Sequence, residues 1–493
     1  MQIVKYFKHI FLSSIIFLIP FVDFLNKNIE EIEIILGKSF YFLIFIVSSF
    51  LLILTYTINY ILKKINFYEA LLIVGVSYWL FFQHNFIKLT IVKIFNIIGL
   101  SRFNLSAELS LIIIIVLSVY LSKLIYKNNL FLIKFFYIFF LLTFFASIFQ
   151  IIVLNKKPNL VKTEEISIIN FPDKLNNKKE NIYFFILDGM QPIDEFEKHY
   201  QLSKKDFIDS AQNKKYDYIH NTVNFYGNTS HSLSALFYLD KIFNEENQLK
   251  KKITKFFPSF LRNKNKNPDL IYNLNNLGYD FKWIGNFFAY CPKFNLNYCL
   301  KKDNNTIIDS YLYINFFKQT PLIQIIIKLG EIFKFDFNKY IFFKLNNGMG
   351  RLISYLKENI KEFKKNKPTF YFIHHMSPHW PYITKSDCSY KKYPGKQNLE
   401  GYKSAYLCTL KRIEEMINFL NEIDPNSIVV FQGDHNWEMS YFSEIKYGRR
   451  NEIFNLIKID EKCNMDQNIN LNNVNTARLI LSCITGNNPG FLK

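Results

Sequence analysis

Up to about Leu154 the chain consists of long apolar runs broken by isolated lysines. Beyond it the apolar runs shorten and alternate with Asn-, Lys-, Asp- and Glu-rich stretches. Five early runs, at about 10–25, 40–62, 68–82, 109–126 and 130–154, approach the roughly 20 apolar residues that a bilayer span requires. The third is short and Gln83-His84-Asn85 follows it at once, which leaves 86–100 open to a re-entrant or interfacial reading. The first run has Lys5 and Lys8 in front, like a signal peptide, but no small-residue cleavage site follows it, so a retained helix is expected. The pattern predicts an all-α transmembrane domain over 1–155 with about five helices and a polar linker over 156–180. A water-soluble domain over 181–493 follows.

In the soluble part the pattern changes period. Asn181 to Leu187, Thr369 to Ile373 and Ser427 to Phe431 are short apolar runs of the buried-strand type. Each leads directly into acids or imidazoles: Asp188, then His374, His375 and His379, then Asp434 and His435. Between them lie helical patterns, such as Leu352, Ile353, Leu356, Ile360 and Phe363, and Leu410, Ile413, Met416, Ile417 and Leu420. Strands alternating with helices predict an α/β sandwich with a mainly parallel central sheet. In such a sheet, active groups gather at the carboxyl ends of the strands. The stretch 307–345 is apolar but carries Lys, Gln, Pro and Glu, and is expected to be a membrane-facing or interdomain insert. No internal repeat is present.

The 493 residues carry a net charge of +19. No zinc-finger spacing, RNP-like motif or basic heptad helix accompanies that charge, so no nucleic-acid partner is expected. The Lys and Asn abundance, together with Ile and 53 Phe residues, reads as a low-GC coding bias. Lysines in the short loops place the N-terminus inside, with Lys88, Lys93 and Arg102 dissenting; five spans then put the soluble domain outside. All six cysteines fall in that outer part, which favours disulfides. Proximity in sequence favours Cys291–Cys299, Cys388–Cys408 and Cys463–Cys483.

The strand-end residues Asp188, Asp434 and His435 are ligand types that suit one divalent Zn, Mn or Mg ion. "YGNTSHSLSALF" adds a hydroxyl, Thr229, at a turn before a helix that is expected to begin near Ser232. A helix N-terminus favours an anion, and a nearby metal would make that hydroxyl a usable nucleophile. Taken singly, each residue has a simpler reading. Asp434 could cap a helix, Asp188-Gly189 could end a strand in a turn, and Thr229 could be an N-cap with Ser230 and Ser232 as rivals. As a set they favour a metal site.

The blocks "NIYFFILDGM", "NTSHSLSALF", "HHMSPHWPY" and "VVFQGDHNW" resemble, in this order, those of the alkaline phosphatase superfamily. The likeness is greatest to its sulfatase-like membrane branch, which contains lipoteichoic acid synthases and phosphoglycerol and phosphoethanolamine transferases. The resemblance implies that Asp188, Thr229, Asp434 and His435 hold the metal and that Thr229 takes the phosphoryl group. It implies that His379 contacts the substrate phosphate or assists the leaving group. Either His374 or His375 could replace it as the phosphate contact, and His375 and Asn228 are candidate substrate-binding residues beside it. The implied function is transfer of a phosphoethanolamine- or phosphoglycerol-type headgroup from a phospholipid donor to an envelope glycan or lipid acceptor. The implied location is a bacterial inner membrane, with a periplasmic catalytic domain. A hydrolase or phosphodiesterase on the same scaffold and an inactive membrane scaffold are the alternatives. Two departures stand out: Asn436 replaces the usual Gly after Asp-His, and no Cys-x-Pro-x-Arg type motif of arylsulfatases occurs.

Overall fold

A computed structural model describes residues 2–28, 38–63, 66–97, 107–126, 130–155, 180–250, 253, 255–262, 268–285, 316–317, 320–332, 339, 343, 347–359, 367–391, 398–437, 451–460, 463, 469–487 and 490–493. The expected linker over 156–180, except its last residue, and the expected Cys291–Cys299 pair lie outside the described residues. The chain divides into two compact units, one of Met1–Glu164 with Asp309–Phe335, the other of Glu165–Ile308 with Asp336–Lys493.

The first unit is helical. It holds α1 (Gln2–Lys27), α2 (Lys38–Ile61), α3 (Phe67–Phe82), α4 (His84–Ile97), α5 (Ala107–Tyr126) and α6 (Leu130–Asn155). Each of the five apolar runs is a helix, and the stretch after the third is a helix as well. Among the described residues, Ile10–Lys27 and Phe40–Ile61 are long and apolar enough to cross a bilayer. Ala70–Phe82 and His84–Phe95 reach that length only as a pair bent by 67°. The bend falls at the polar Gln83-His84-Asn85 interruption, where His84 is buried and its Nε2 meets Ser110 Oγ at 2.8 Å. Part of the 307–345 stretch joins this unit. Phe316 stacks on Phe21 at 4.7 Å and packs against Phe24 and Phe82. A further helix of the same unit, α11 (Leu322–Ile332), follows it.

The second unit is a three-layer α/β sandwich. Among the described residues, six strands form one sheet in the order β2-β6-β5-β1-β4-β3. They are β1 (Ile182–Leu187), β2 (Asp217–Tyr218), β3 (Asp280–Ile284), β4 (Thr369–His375), β5 (Ile428–Gly433) and β6 (Asn455–Lys458). The pairs β5-β1, β1-β4 and β4-β3 are parallel; β6 and β2 add an antiparallel edge. The central strands are buried on both faces, which is why they read as continuous apolar runs without alternation.

The two faces still separate by residue parity. Ile182, Phe184, Ile186, Phe370, Phe372, Ile428 and Val430 pack under α9 (Thr229–Phe237), α10 (Asp269–Asn276) and α14 (Asn473–Thr485). Tyr183, Phe185, Leu187, Tyr371, Ile373, Val429 and Phe431 pack under α7 (Ile193–Tyr200), α8 (Lys205–Gln212), α12 (Gly348–Glu358) and α13 (Leu399–Ile423). Burying one such Phe or Ile contributes roughly 1.5–3 kcal/mol. Two of the proposed disulfides are formed: Cys388–Cys408, with Cα atoms 4.9 Å apart, and Cys463–Cys483, at 5.1 Å.

Candidate active site

The central strand β1 has β4 on one side and β5 on the other, and Leu187 is level with both His375 and Gly433. Three parallel strands therefore end together, and the residues at their ends converge. This is the crevice position at which open α/β sheets bind ligands. The turn after β1 is held in place from α13. Tyr402 Oη donates to Gly189 O at 3.0 Å, and Tyr406 Oη donates to Gln191 O at 3.1 Å. Gly189 has φ of +69°, a conformation glycine adopts without strain. A Cβ on Gly433 would stand 2.6 Å from Met190 O, so this close approach of β5 to the turn requires glycine.

Asp188, Asp434 and His435 are all buried. Asp434 Oδ1 accepts from the backbone N–H groups of Gly189 (3.0 Å) and His435 (2.9 Å). Its Oδ2 and Asp188 Oδ1 are buried with no hydrogen-bond partner. His435 Nδ1 donates to Asn436 O at 2.7 Å, which turns Nε2 toward the two carboxylates. That Nε2 is 3.5 Å from Asp188 Oδ1, 3.6 Å from Asp434 Oδ2 and 3.2 Å from Thr229 Oγ1. All four residues expected at a metal therefore meet at one point.

A fifth residue meets them there. His374 Nε2 lies 3.2 Å from Asp188 Oδ2, and Asp188, His374 and Asp434 each place one ligand atom within 4.8 Å of the others. His374 continues the parity of Phe370 and Phe372 toward the α9 face. Sequence reasoning treated it only as a stand-in for His379. The signal was present, since an imidazole in phase with the buried aromatics of β4 must point where they point. Burial alone would raise the Asp188 carboxyl, but the imidazoles of His379, His374 and His435 outweigh it and hold it well below the ordinary carboxylate range. Burial likewise opposes charge on His435, yet Asp434, Asp188 and the Asn436 carbonyl push it up to about 10. The unpartnered buried carboxylate oxygens and the facing imidazoles form a site that attracts a cation. Two carboxylates with imidazoles suit Zn, Mn or Mg.

Helix α9 begins at Thr229, three residues earlier than expected. Asn228 is its N-cap: Oδ1 accepts from His231 N–H at 2.9 Å, and Nδ2 faces the His231 ring at 3.1 Å. The expected substrate contact at Asn228 is thus a side chain already engaged at both ends. Thr229 occupies the first helical turn, half-buried and reachable. Ser232, a rival nucleophile by sequence, is buried and donates to Asp434 O at 2.7 Å. Asn224 Nδ2 donates to the same carbonyl at 2.7 Å, and Asn473 Nδ2 donates to Ser232 Oγ at 3.0 Å. This network, which sequence reasoning missed, ties α9 to the loop bearing Asp434 and His435. Ser230 Oγ turns toward Phe257 O. His231 packs among Tyr226, Phe243 and Phe256, and His220 pairs with Asp194, both outside the cluster.

His379 stands at the rim, its ring 6.3 Å from that of His435 and its Cδ2 3.6 Å from the Cβ position of Gly189. His375 has the opposite parity to His374 and faces α13, where burial first, then Arg412 and His374, push its pKa down to about 3. Asn436 has no positive φ, so glycine is not needed there. Its side chain donates to Glu195 Oε2 and accepts from Trp437 N–H, both at 2.7 Å, which anchors the loop.

The fold and this arrangement define an enzyme scaffold of the alkaline phosphatase type, with a mostly parallel sheet carrying acids and imidazoles at its carboxyl edge. The sulfatase family profile matches residues 196–453, more than half of the chain, and the chain belongs to that family. No curated protein matches it by sequence. Solved structures similar to it include the C-terminal periplasmic domain of EcEptC from Escherichia coli, at 15% identity and a TM-score of 0.38, covering 64% of this chain and 85% of that one. The lipoteichoic acid synthase LtaP from Listeria monocytogenes is similar at 14% identity and a TM-score of 0.38, covering 66% and 77%. The soluble domain of lipooligosaccharide phosphoethanolamine transferase A from Neisseria meningitidis is similar at 10% and 0.40, covering 64% and 91%.

Proposed function

We propose that this chain transfers a phospho-headgroup, of phosphoethanolamine or phosphoglycerol type, from a phospholipid to a glycan or lipid of the cell envelope. The observation that carries this reading is the position of Thr229. Its hydroxyl lies on a helix N-terminus, 3.2 Å from His435 Nε2 and beside two buried carboxylates. Apolar helices of membrane-spanning length in the same chain support a lipid donor. They also support a multi-pass inner-membrane location with the catalytic domain outside.

Asp188, Asp434, His435 and His374, with Thr229, would hold one divalent metal. When bound, that ion supplies positive charge against the phosphoryl oxygens and favours the ionised form of the nucleophile. Thr229 Oγ attacks phosphorus and forms a P–O bond, while the bond from phosphorus to the diacylglycerol oxygen breaks. His379, at the rim, gives a proton to that departing oxygen. The headgroup remains esterified to Thr229. An acceptor hydroxyl then gives its proton to His379 and attacks phosphorus, and Thr229 Oγ leaves. The Ser232–Asn224–Asn473 network keeps α9 and the Asp434 loop at fixed separation through both steps. Nothing in the sequence supplies the Cys-x-Pro-x-Arg type motif of arylsulfatases, which favours phosphoryl over sulfate chemistry.

The test is mass spectrometry of the full chain after incubation with phospholipid. A Thr229 peptide heavier by one phospho-headgroup is expected, together with free diacylglycerol. Diacylglycerol release with an unmodified Thr229 under rapid quench would overturn the mechanism.

A further inference from the structure

Beyond the metal-facing side of the sheet, the α13 face has a small cavity of about 40 Å³, lined among others by His375, Ser377, His379, Thr384, Cys408 and Arg412. Its surface is more apolar than polar, yet it brings His375, Ser377 and Arg412 together on a face that is otherwise apolar. His375 is 4% exposed and its Nδ1 has no hydrogen-bond partner, although it lines the cavity. Leaving a buried ring nitrogen unsatisfied is costly, so a ligand that hydrogen-bonds it is favoured. Arg412 lines the same space, with its side chain 26% exposed. Among the described residues, Arg412 pairs with Glu415 at 3.3 Å, one helical turn along α13. That contact is made by Nη1, which leaves donors of the guanidinium fork for a ligand.

Ser377 is held by Thr409, whose hydroxyl donates to Ser377 Oγ at 2.8 Å. The Cys388–Cys408 disulfide braces the wall, since Cys408 lines the cavity. His379 belongs to both sites, which makes this cavity a neighbour of the nucleophile's crevice. At about 10–15 Å³ per water, the space holds roughly three waters. A compact group suits a space of that size. An arginine fork with a buried imidazole and hydroxyls matches a tetrahedral oxyanion.

We infer that Arg412 and His375 form a second phosphate-binding subsite, distinct from the metal cluster, which holds a phosphate group of a substrate while Thr229 reacts. This deepens the transferase reading and rests on it for the substrate, but the subsite itself can be tested without it. The phosphate could come from the acceptor or from a donor lipid.

The experiment is equilibrium binding of radiolabelled inorganic phosphate to the metal-loaded full chain in detergent. Arg412→Gln is expected to bind one equivalent fewer than wild type, and Arg412→Lys to keep that equivalent with about tenfold weaker affinity. Equal stoichiometry in wild type and Arg412→Gln overturns the subsite. A lost equivalent in a protein that never forms phospho-Thr229 supports the subsite and overturns the transferase reading instead. Transfer assays with phosphorylated and unphosphorylated acceptor lipids then identify the source. A KM raised by Arg412→Gln only for the phosphorylated acceptor assigns an acceptor phosphate, and a KM raised for the phospholipid assigns a donor phosphate. A KM unchanged for both overturns the subsite's part in catalysis.

Discussion

Thr55 in the helical unit and Ser232 in the α/β unit are both buried hydroxyls, and they are satisfied in opposite ways. Thr55 Oγ1 donates to Leu51 O at 2.8 Å, one turn back on its own helix. Thr57 and Ser77 do the same. Ser232 donates to a carbonyl 202 residues away and accepts from Asn473. Polar groups in an apolar setting are cheapest to satisfy locally. Where a chain instead gathers them from distant elements and still leaves carboxylate oxygens unpartnered, packing does not explain the arrangement and a bound ligand does. The helical unit illustrates the first case and the carboxyl edge of the sheet the second.

The largest break in that contrast comes from Thr229, the proposed nucleophile. If Thr229 takes the phosphoryl group as proposed, Thr229→Ala should lower headgroup transfer by roughly a million-fold, the scale seen when a catalytic nucleophile is removed, with folding retained. Transfer assays and circular dichroism check both halves.

Metal affinity comes next. His374→Ala should weaken divalent-metal binding at least about tenfold, read by titration calorimetry, and wild type should lose thermal stability when a chelator is added. Unchanged affinity would remove His374 from the ligand set and leave the four residues named from sequence.

The paired hydroxyls test the comparison directly. Ser232→Ala leaves Asn473 Nδ2 without its acceptor and should destabilise by about 1–3 kcal/mol, with a fall in kcat larger than any change in KM. Thr55→Val should cost less than about 1 kcal/mol and leave transfer untouched. Equal effects in denaturant melts would erase the distinction.

The smallest effect is a pH slope. Burial, with Glu452 beside it, pushes Glu195 up to about 7 from 4.5, while Asn436 partly opposes the rise. Between those values the folded chain holds a proton that the unfolded chain has released, so stability falls as pH rises from 4.5 to 7. Glu195→Gln should flatten that part of the melting-temperature profile, since a neutral amide does not titrate there.

Much of this was legible from pattern alone. The switch from long apolar runs to short ones near Leu154 marked the two kinds of structure, because span length and strand length differ physically. The apolar runs Asn181–Leu187, Thr369–Ile373 and Ser427–Phe431 became β1, β4 and β5, the last two extending by two residues to His375 and Gly433. Asp188, Thr229, Asp434 and His435 came together as expected, since ligand chemistry restricts residue type strongly enough to read in one dimension. Asn228 was less legible: a polar residue before a helix reads equally as cap or contact, and here it caps.

The sequence by itself determined which segments are apolar, at what period, and which residues can hold a cation or accept a phosphoryl group. It did not determine which residue stands opposite which. Only the parallel register of β1 with β4 and β5, level at Leu187, His375 and Gly433, decided that His374 joins the carboxylates while His375 turns to Arg412 on the other face. The physical reason is that side chains alternate across a strand, so adjacent histidines must part. Which way each turns depends on the layer packed against the sheet, and that layer exists only once the distant elements have assembled.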